Sequence, residues 1–533
     1  MAALAALVLL AACSSNPLAT LNPFKDNENE ADLGKIGFVK GFFGGVAVDE
    51  PRAALIGRDI LSSGGSAADV AVAVTLTLAV TQSSSASLGG GGVCVVHDAK
   101  SGTTQSLDFL PGIPKSMAPG TARPNGVPSG IPNAVPSAVP GTIRGLALLH
   151  AKYGRLDWKE LVSPAEKLAR FGIQVSRALA NDLKYLPPAV LEDPEFRRIF
   201  GGGANGPLVR EGDTLKQLDL SAVLGRIRAR GAGDFYTGVL ARSFAAAAGK
   251  AGGGFTLTDL RAYTPLLRPT IQVPYIRNTV FHFPSTTGPN GVLAAQMMAM
   301  MIELNDWDGA TPAERSHMMA EISARAYSNR TRWLREDGGT SAPAALLVSE
   351  DAAEQLLNGY DDSRHTPQTG SGSSFSTTGS RTGASFVAVD REGSAVACGL
   401  TLNNVFGTGK VAPGTGVLLS ALPGPGGRGP DSLSAVLLVN PVHKVFHFAG
   451  AASGGPVAPS ALVQIAVGAI MAGKGETLET AINARRAHND GASGLTHYEQ
   501  GMDAAIVNGL SERGHRNTPT ALSGWPSGRT AVS

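Results

Sequence analysis

Two β-hairpins in the C-terminal third of the chain limit its possible folds more than any other feature. Residues 384–390 (ASFVAVD) and 395–402 (AVACGLTL) are apolar segments joined by the turn 391–394, and residues 433–440 and 444–448 form a second such pair. Runs rich in β-branched residues on either side of a short polar turn are typical of hairpins. Because these strands carry few polar side chains, we expect both hairpins to be buried.

The segment 68–80 (ADVAVAVTLTLAV) has a helical pattern that is apolar all round. It is too short to cross a bilayer, so we expect a core helix packed on a sheet. Helical patterns recur at 142–153, 158–171 and 177–184, and one follows residue 456. This order of elements predicts a layered α/β fold. It does not predict a Rossmann unit, since no GxGxxG follows a strand and no P-loop is present.

Composition excludes several classes of function. Of 533 residues, 43% are hydrophobic, which is sufficient for a large core, and 45 Lys+Arg against 43 Asp+Glu with no basic run argues against a nucleic-acid partner. The three cysteines are too few for a disulfide framework, and neither they nor the ten histidines have metal-ligand spacing. The sequence therefore predicts no metal site.

The N-terminus resembles the start of an exported lipoprotein. Residues 1–13 are small and apolar and end in Leu-Ala-Ala-Cys, which is similar to a bacterial lipobox. This pattern predicts cleavage before Cys13, lipidation of Cys13, and a periplasmic or membrane-anchored protein; an ordinary signal peptide is the alternative. Residues 14–44 have no periodicity and are interpreted as a tether.

Three features of the sequence point to acyl transfer. The first is the polar run 369–380, which ends at Arg381-Thr382 just before a predicted strand. If the chain were cut there, Thr382 would carry both a nucleophilic hydroxyl and a free α-amine that can serve as its base. The alternative interpretation is an ordinary surface loop.

The other two features lie downstream. Thr401 and Asn403 are two residues apart on a predicted strand, so their side chains would share one face and could orient a nucleophile and a substrate amide. Ser453, Gly454 and Gly455 precede a predicted helix, where backbone N–H groups can stabilise an oxyanion. Plain strand polarity and a tight glycine turn are the respective alternatives.

In their order and spacing, these segments resemble the γ-glutamyltransferase family, also known as γ-glutamyltranspeptidase or glutathione hydrolase. The resemblance extends over about residues 45–515. The segments that carry it are 64–73, 88–92, 393–397, 401–409, 414–419 and 453–455. Each segment is weak alone, but together they are specific.

The resemblance implies an α/β (α+β) fold of the N-terminal-nucleophile hydrolase type, a four-layer αββα sandwich. It implies a proenzyme that cuts itself into a large part, 45–381, and a small part, 382–533, which together form one intertwined catalytic domain. The new N-terminal Thr would attack a small-molecule γ-glutamyl or related amide. Water or an amino acid would then resolve the acyl-enzyme, without a cofactor.

The resemblance also implies roles for individual residues. It places Thr382, Thr401, Gly454 and Gly455 in catalysis, and Asn403, Ser434 and Ser453 in substrate binding.

The nucleophile position departs from the family pattern. Counted back from Asp390, the place of the family threonine falls on Gly383, while Thr382 lies one residue earlier and Ser385 two residues later. The nucleophile is therefore Thr382, Ser385 or absent, and we favour Thr382. Gly383 after it could supply an unusual backbone angle that brings Thr382 into register.

The substrate contacts depart as well. Leu110 stands where the family has an arginine for the α-carboxylate, and residues 420–425 lack the acid for the α-amine. Charge-assisted contacts of this kind contribute about 1.5–3 kcal/mol each. Three hypotheses stay open: a γ-glutamyl amidohydrolase, a family member with a changed acyl specificity, and a catalytically inactive envelope binding protein.

Overall fold

The computed structural model describes residues 44–117, 135–201, 206–286, 288–368, 383–424, 433–473, 476–520 and 529–532. The strands in this part of the chain are β1 (Gly44–Val48), β2 (Gly91–Asp98), β3 (Thr103–Asp108), β4 (Ile173–Gln174), β5 (Thr214–Leu215), β6 (Leu266–Pro269), β7 (Ile271–Pro274), β8 (Val280–Phe283), β9 (Ala384–Asp390), β10 (Ala395–Thr401), β11 (Val411–Ala412), β12 (Val417–Leu418), β13 (Leu433–Asn440), β14 (Val445–Ser453), β15 (Ala487–Asn489), β16 (Thr496–Glu499), β17 (Asn517–Thr520) and β18 (Arg529–Val532).

The helices of the same part are α1 (Pro51–Ser62), α2 (Ala67–Thr81), α3 (Thr142–Tyr153), α4 (Trp158–Phe171), α5 (Arg177–Lys184), α6 (Pro188–Leu191), α7 (Pro194–Phe200), α8 (Leu218–Arg230), α9 (Gly233–Tyr236), α10 (Val239–Lys250), α11 (Leu257–Ala262), α12 (Asn290–Leu304), α13 (Pro312–Trp333), α14 (Ala344–Leu347), α15 (Glu350–Leu357), α16 (Ala458–Ile470), α17 (Leu478–Asn483) and α18 (Ala504–Glu512). None of them combines the length and apolar character needed to cross a membrane.

Two antiparallel sheets organise the fold. The first has the strand order β1-β9-β10-β2-β3-β6, and the second has the order β18-β14-β13-β8-β7. Each predicted hairpin occupies adjacent strands of one sheet, β9-β10 in the first and β13-β14 in the second. The strand β14 runs five residues beyond the predicted end at residue 448 and finishes at Ser453.

Three layers of buried apolar side chains lie between the sheets and the helices. One layer packs the first sheet against α2 and its neighbouring helices, and another packs the second sheet against α12 and α16. The layer between the sheets consists of small and β-branched side chains with one leucine: Val95, Val387, Val389, Ala395, Ala397, Ala435, Leu437, Val439, Ala449 and Ala451. The predicted four-layer αββα sandwich is confirmed.

The central helix α2 is buried at all fifteen positions, as its all-round apolar pattern predicts. Ser66 and Asp69 form a capping box at its start, which satisfies two backbone N–H groups that the helix leaves unbonded. The Ala67 N–H donates to Asp390 Oδ2 at 3.2 Å, and Arg155 donates to the same oxygen at 3.1 Å. These contacts fix the end of β9 against the start of α2.

The structure pairs two of the three cysteines, Cys94 and Cys398, in a disulfide between β2 and β10. The small number of cysteines gave no indication of this bond. A single cross-strand disulfide is not a framework of several bonds, so it adds to the expectation from the cysteine count and does not overturn it.

A chain of hydrogen bonds runs through buried histidines beside α13. His317 Nε2 lies 2.9 Å from the Asp361 carbonyl, which can only accept, so this nitrogen carries the hydrogen. His317 Nδ1 then accepts from His515 Nε2 at 2.7 Å, and His515 Nδ1 accepts from the Thr496 hydroxyl at 2.9 Å. This pattern is satisfied when both imidazoles are neutral.

Burial lowers the pKa of His515 to about 3, well below the ordinary 6.5. The nearby charged and titratable groups are His317, Glu321, His365 and Arg513, of which only Glu321 favours the charged imidazole. Glu321 is itself paired with the buried Arg325 at 2.5 Å, so its charge is partly neutralised.

We expect the free energy of unfolding to fall as the pH drops from about 6.5 towards 3. In this window the unfolded chain binds protons at His515 that the folded chain excludes, so stability is full above pH 6.5 and declines below it, by at most about 1.4 kcal/mol per pH unit for one histidine. Urea unfolding of His515→Gln between pH 4 and 8 should give a flatter profile than wild type.

The control for this experiment is His443→Gln, which changes an exposed histidine in the same way. It should keep the wild-type slope. A His515→Gln profile as steep as that of wild type would show that His515 does not titrate in this window.

Candidate active site

The candidate site lies where the ends of four strands meet. In the first sheet Leu400 pairs with Ala384, so the register continues to place Gly383 opposite Thr401 at the end of β10. In the second sheet Leu433, which begins β13, pairs with Ser453, which ends β14. Strand alternation directs Thr401 and Ser453 into the space between the sheets, on the same faces as Ala397 and Ala451.

Glycines allow the two sheets to approach closely here. A Cβ built on Gly383 would lie 2.9 Å from the Ser453 Cβ and 3.0 Å from Leu433 Cδ2. A Cβ on Gly399 would lie 3.1 Å from the Leu433 Cβ. Asn290, the first residue of α12, donates from Nδ2 to the Leu433 carbonyl at 2.5 Å and fixes the start of β13. The structure thus brings Gly383 into contact with Ser453.

Gly383 has φ +119, a conformation that side-chain-bearing residues rarely adopt. The predicted unusual angle at this position is confirmed. A threonine at this place would meet both this backbone angle and the short contact with Ser453, so Gly383 is adapted to its surroundings. Thr382, our preferred nucleophile, lies outside the described residues, as does Cys13.

Thr401 and Asn403 do not lie on one strand, contrary to the prediction from the sequence. The strand β10 ends at Thr401, and Asn403 follows it with φ +63, in the left-handed region. The idea that strand alternation places both side chains on one face is therefore wrong. Instead, the Asn403 N–H donates to Thr401 Oγ1 at 2.8 Å, and Asn403 Nδ2 donates to the Ala421 carbonyl at 2.9 Å. The turn ties the two residues together locally.

Gly454 and Gly455 join β14 to α16, with φ values of +119 and +115. Among the described residues, neither backbone N–H has an acceptor. Two unengaged N–H groups beside a buried serine are suited to stabilising an oxyanion. Their catalytic role stays a prediction.

Three further polar atoms of the predicted site have no hydrogen-bond partner within the described part of the chain: Ser434 Oγ, Ser453 Oγ and Asn403 Oδ1. Both serines are fully buried. Ser434 alternates with Val436 and Leu438, which pack against helices, so it lies on the opposite face of the second sheet from Ser453. The structure therefore does not gather all the predicted substrate contacts on one face.

Ser385, the reserve nucleophile, contacts a carboxylate that the sequence analysis missed. Its N–H donates to Asp49 Oδ2 at 2.8 Å, and its hydroxyl donates to the same oxygen at 3.3 Å. Asp49 follows β1 and is 336 residues away in sequence, so no local pattern could have indicated the contact. A cut before Ser385 would fall inside β9, directly after Ala384, which pairs with Leu400. We therefore favour Thr382, which precedes the strand in sequence.

The two places that depart from the family's substrate contacts are uncharged in the structure. Leu110 is half-buried beyond β3, its N–H donates to Asp108 Oδ1 at 3.1 Å, and its carbonyl accepts from the Tyr263 hydroxyl at 2.8 Å. Burial raises the pKa of Tyr263 well above 10, so this phenol is a neutral donor. The residue beside the Asn403 amide is Ala421.

One group of described residues has metal-ligating atoms close together. Atoms of His317, Glu321 and His515 lie within 4.8 Å of one another. The imidazoles bond to each other, and Glu321 bonds to Arg325 and to His365 at 2.5 Å. Because these donors already have partners and Arg325 adds a positive charge, we interpret the cluster as a structural hydrogen-bond network.

Comparison with known proteins identifies relatives over most of the chain. The Gamma-glutamyltranspeptidase family profile matches residues 53–527. The glutathione hydrolase proenzyme of Escherichia coli is 30% identical over 395 residues, which are 71% of this chain and 66% of that protein.

Two solved structures are also similar. Helicobacter pylori gamma-glutamyltranspeptidase is 29% identical with a TM-score of 0.55, covering 62% of this chain and 95% of that one. The cephalosporin acylase of Bacillus halodurans shares the fold, with a TM-score of 0.73 at 22% identity over 89% of this chain and 88% of that one.

We expect Gly383→Ala to destabilise the protein more than an ordinary glycine substitution does. The new methyl group would lie 2.9 Å from the Ser453 Cβ. The alanine would also have to adopt φ +119, a conformation in which strain alone costs about 1–3 kcal/mol. Gly414→Ala is the control, because Gly414 has φ +71 with nothing within 4 Å of a built Cβ. Urea unfolding should show the larger loss for Gly383→Ala; equal losses would contradict the close approach.

Proposed function

The chain belongs to the γ-glutamyltranspeptidase family, and from this membership we propose that it is a self-cleaving amidohydrolase and acyltransferase acting on γ-glutamyl amides of the glutathione type. The observation that carries the proposal is the meeting of Gly383, the residue after the proposed nucleophile, with Ser453 between the two sheets. Gly454 and Gly455, whose backbone N–H groups have no acceptor among the described residues, come directly after Ser453 in sequence.

The proposed reaction starts when the Thr382 hydroxyl oxygen attacks the carbonyl carbon of the preceding peptide bond and displaces the Thr382 nitrogen. Water then hydrolyses the resulting ester, which restores the hydroxyl and leaves Thr382 with a free α-amine. This amine takes the proton of the Thr382 hydroxyl, whose oxygen attacks the substrate amide carbon. The backbone N–H groups of Gly454 and Gly455 stabilise the resulting oxyanion. The C–N bond then breaks, and the amine returns its proton to the leaving nitrogen.

The acyl-enzyme ester is resolved in a second step. Water attacks the ester carbon to give the free acid, or the α-amine of an amino acid attacks to give a new amide, and Thr382 regains its hydroxyl proton in both cases. In this scheme Thr401 lies opposite Gly383 at the strand end and positions the nucleophile through its hydroxyl. Asn403, held by Ala421, orients the acyl group.

A second candidate function is supported by the uncharged side chains at the two positions where the family has charged substrate contacts. Leu110 and Ala421 offer no counter-charges for the α-carboxylate and α-amine of a glutamyl group. An amide whose acyl group lacks this zwitterion would not leave charges unpaired at these positions. The third hypothesis, an inactive envelope binding protein, is favoured by Gly383 at the counted place of the nucleophile.

We expect Thr382→Ala to abolish both chain cleavage and amide hydrolysis, because it removes the hydroxyl that attacks in the proposed scheme. Denaturing electrophoresis, N-terminal sequencing of the small fragment, and assays with γ-glutamyl and butyryl anilides provide the measurements. The butyryl group lacks both the α-carboxylate and the α-amine, so faster turnover of this substrate would select the changed acyl specificity.

Ser385→Ala is the matched control, since it deletes a hydroxyl three residues away and leaves its N–H able to bond to Asp49. It should be cleaved and active. Loss of cleavage in Ser385→Ala with normal cleavage in Thr382→Ala would reassign the nucleophile. A wild-type chain that is never cut would favour the binding protein.

We also propose that the protein is exported and anchored through a lipid on Cys13. The disulfide between Cys94 and Cys398 supports export, because such bonds persist in oxidising compartments. Wild type should fractionate with membranes, and Cys13→Ser should be released, since stable anchoring needs several acyl chains. Equal distribution of the two proteins would refute the anchor.

A further inference from the structure

A single disulfide connects the two sides of the proposed cleavage position. Cys94 lies in β2 and Cys398 in β10, 304 residues apart in sequence, with their Cα atoms 4.1 Å apart. The two residues are directly opposite each other in the antiparallel pair. The bond between residues 381 and 382 lies within this interval, so the disulfide bridges whichever fragments a cut there would produce.

We propose that the disulfide becomes an inter-chain bond after cleavage and holds the large and small chains together covalently. The inference rests on the proposed function, which supplies the cut. After the cut, no peptide bond joins residues 1–381 to residues 382–533, and the Cys94–Cys398 bond takes over this connection.

The strand order places the bond at a boundary between the two chains. In the first sheet, β9 and β10 come from the small chain and lie between β1 and β2 of the large chain. The boundary with β1 consists of five residue pairs, and the boundary with β2 of seven. The disulfide fastens the longer boundary near its centre.

The bond supports the candidate site without entering it. Cys94 and Cys398 belong to the apolar layer between the first sheet and its helices and are 1% and 0% exposed. Thr401, three residues beyond Cys398, points to the other face of the same strand. The disulfide therefore fixes the register of β10 against β2, and hence the position of Thr401, from the opposite face of the sheet.

Formation of the disulfide requires an oxidant, which the compartment of an exported protein supplies. Two thiols lose two protons and two electrons when the bond forms, and a disulfide oxidant of the thiol-exchange class accepts the electrons. Because both sulfurs are buried, a reductant such as dithiothreitol should reach them only when the protein is unfolded.

The test is electrophoresis of iodoacetamide-treated protein in SDS, with and without dithiothreitol. We expect one full-length band without the reductant and two fragments with it. Two fragments in both lanes would overturn the inference. A single band in both lanes would refute the cleavage of the proposed function and not the bond.

If wild type gives a single band in both lanes, an engineered variant tests the disulfide separately. A sequence-specific protease site inserted after Ser374, between the two cysteines in sequence, allows the chain to be cut independently of its own activity. Fragments that separate only with reductant support the tether, and fragments that separate without reductant overturn it.

Variants identify the bond as the one between β2 and β10. Cys398→Ser should release the small fragment without reductant, whereas Cys13→Ser should keep it attached, because it changes the one cysteine outside the pair. If Cys398→Ser fails to fold, peptide mapping of unreduced wild type must still recover the linked Cys94 and Cys398 peptides. Recovery of both as alkylated thiols would refute the bond.

Discussion

The close packing of two sheets through small side chains is the constraint on which the rest of this structure depends. The layer between them contains five alanines together with valines and one leucine, and the glycines at 383 and 399 extend it to the end of the strands. Sheets pack closely only where facing side chains leave room. This proximity brings residues of the first sheet into contact with Ser453 in the second, and a Cβ at Gly383 would lie only 2.9 Å from the Ser453 Cβ.

The same packing shapes the chemistry of the candidate site. Gly383 allows the close contact, but it has no side chain, so the proposed reaction requires a hydroxyl nucleophile from a neighbouring position. Other parts of the site are backbone groups, such as the N–H groups of Gly454 and Gly455, which depend on backbone conformation and not on side-chain identity. A family fold can therefore persist while individual substrate contacts, such as the one at Leu110, change.

The topology explains how a cut chain could remain one enzyme. Small-chain strands are enclosed by large-chain strands in the first sheet and pair with β8 in the second, so both sheets contain strands from each side of the proposed cut. Separating the chains would expose strand edges and all three apolar layers. The disulfide adds a covalent link at one of these boundaries.

The sequence by itself determined the local elements and the family. Helical periodicity predicted α3, α4 and α5 with their observed bounds, alternation predicted the hairpin β9-β10, and the resemblance to the family implied the αββα sandwich. These signals depend on neighbouring residues, which the sequence displays directly.

Only the tertiary structure decided which distant groups meet and how the site is arranged. The Ser385–Asp49 hydrogen bond, the Cys94–Cys398 disulfide and the bond between His317 and His515 join residues 336, 304 and 198 positions apart. The left-handed turn that removes Asn403 from the strand also depends on the distant Ala421 carbonyl. Such contacts follow from the order of strands within a sheet and from the packing of elements that are distant along the chain, and no local pattern in the chain contains that information.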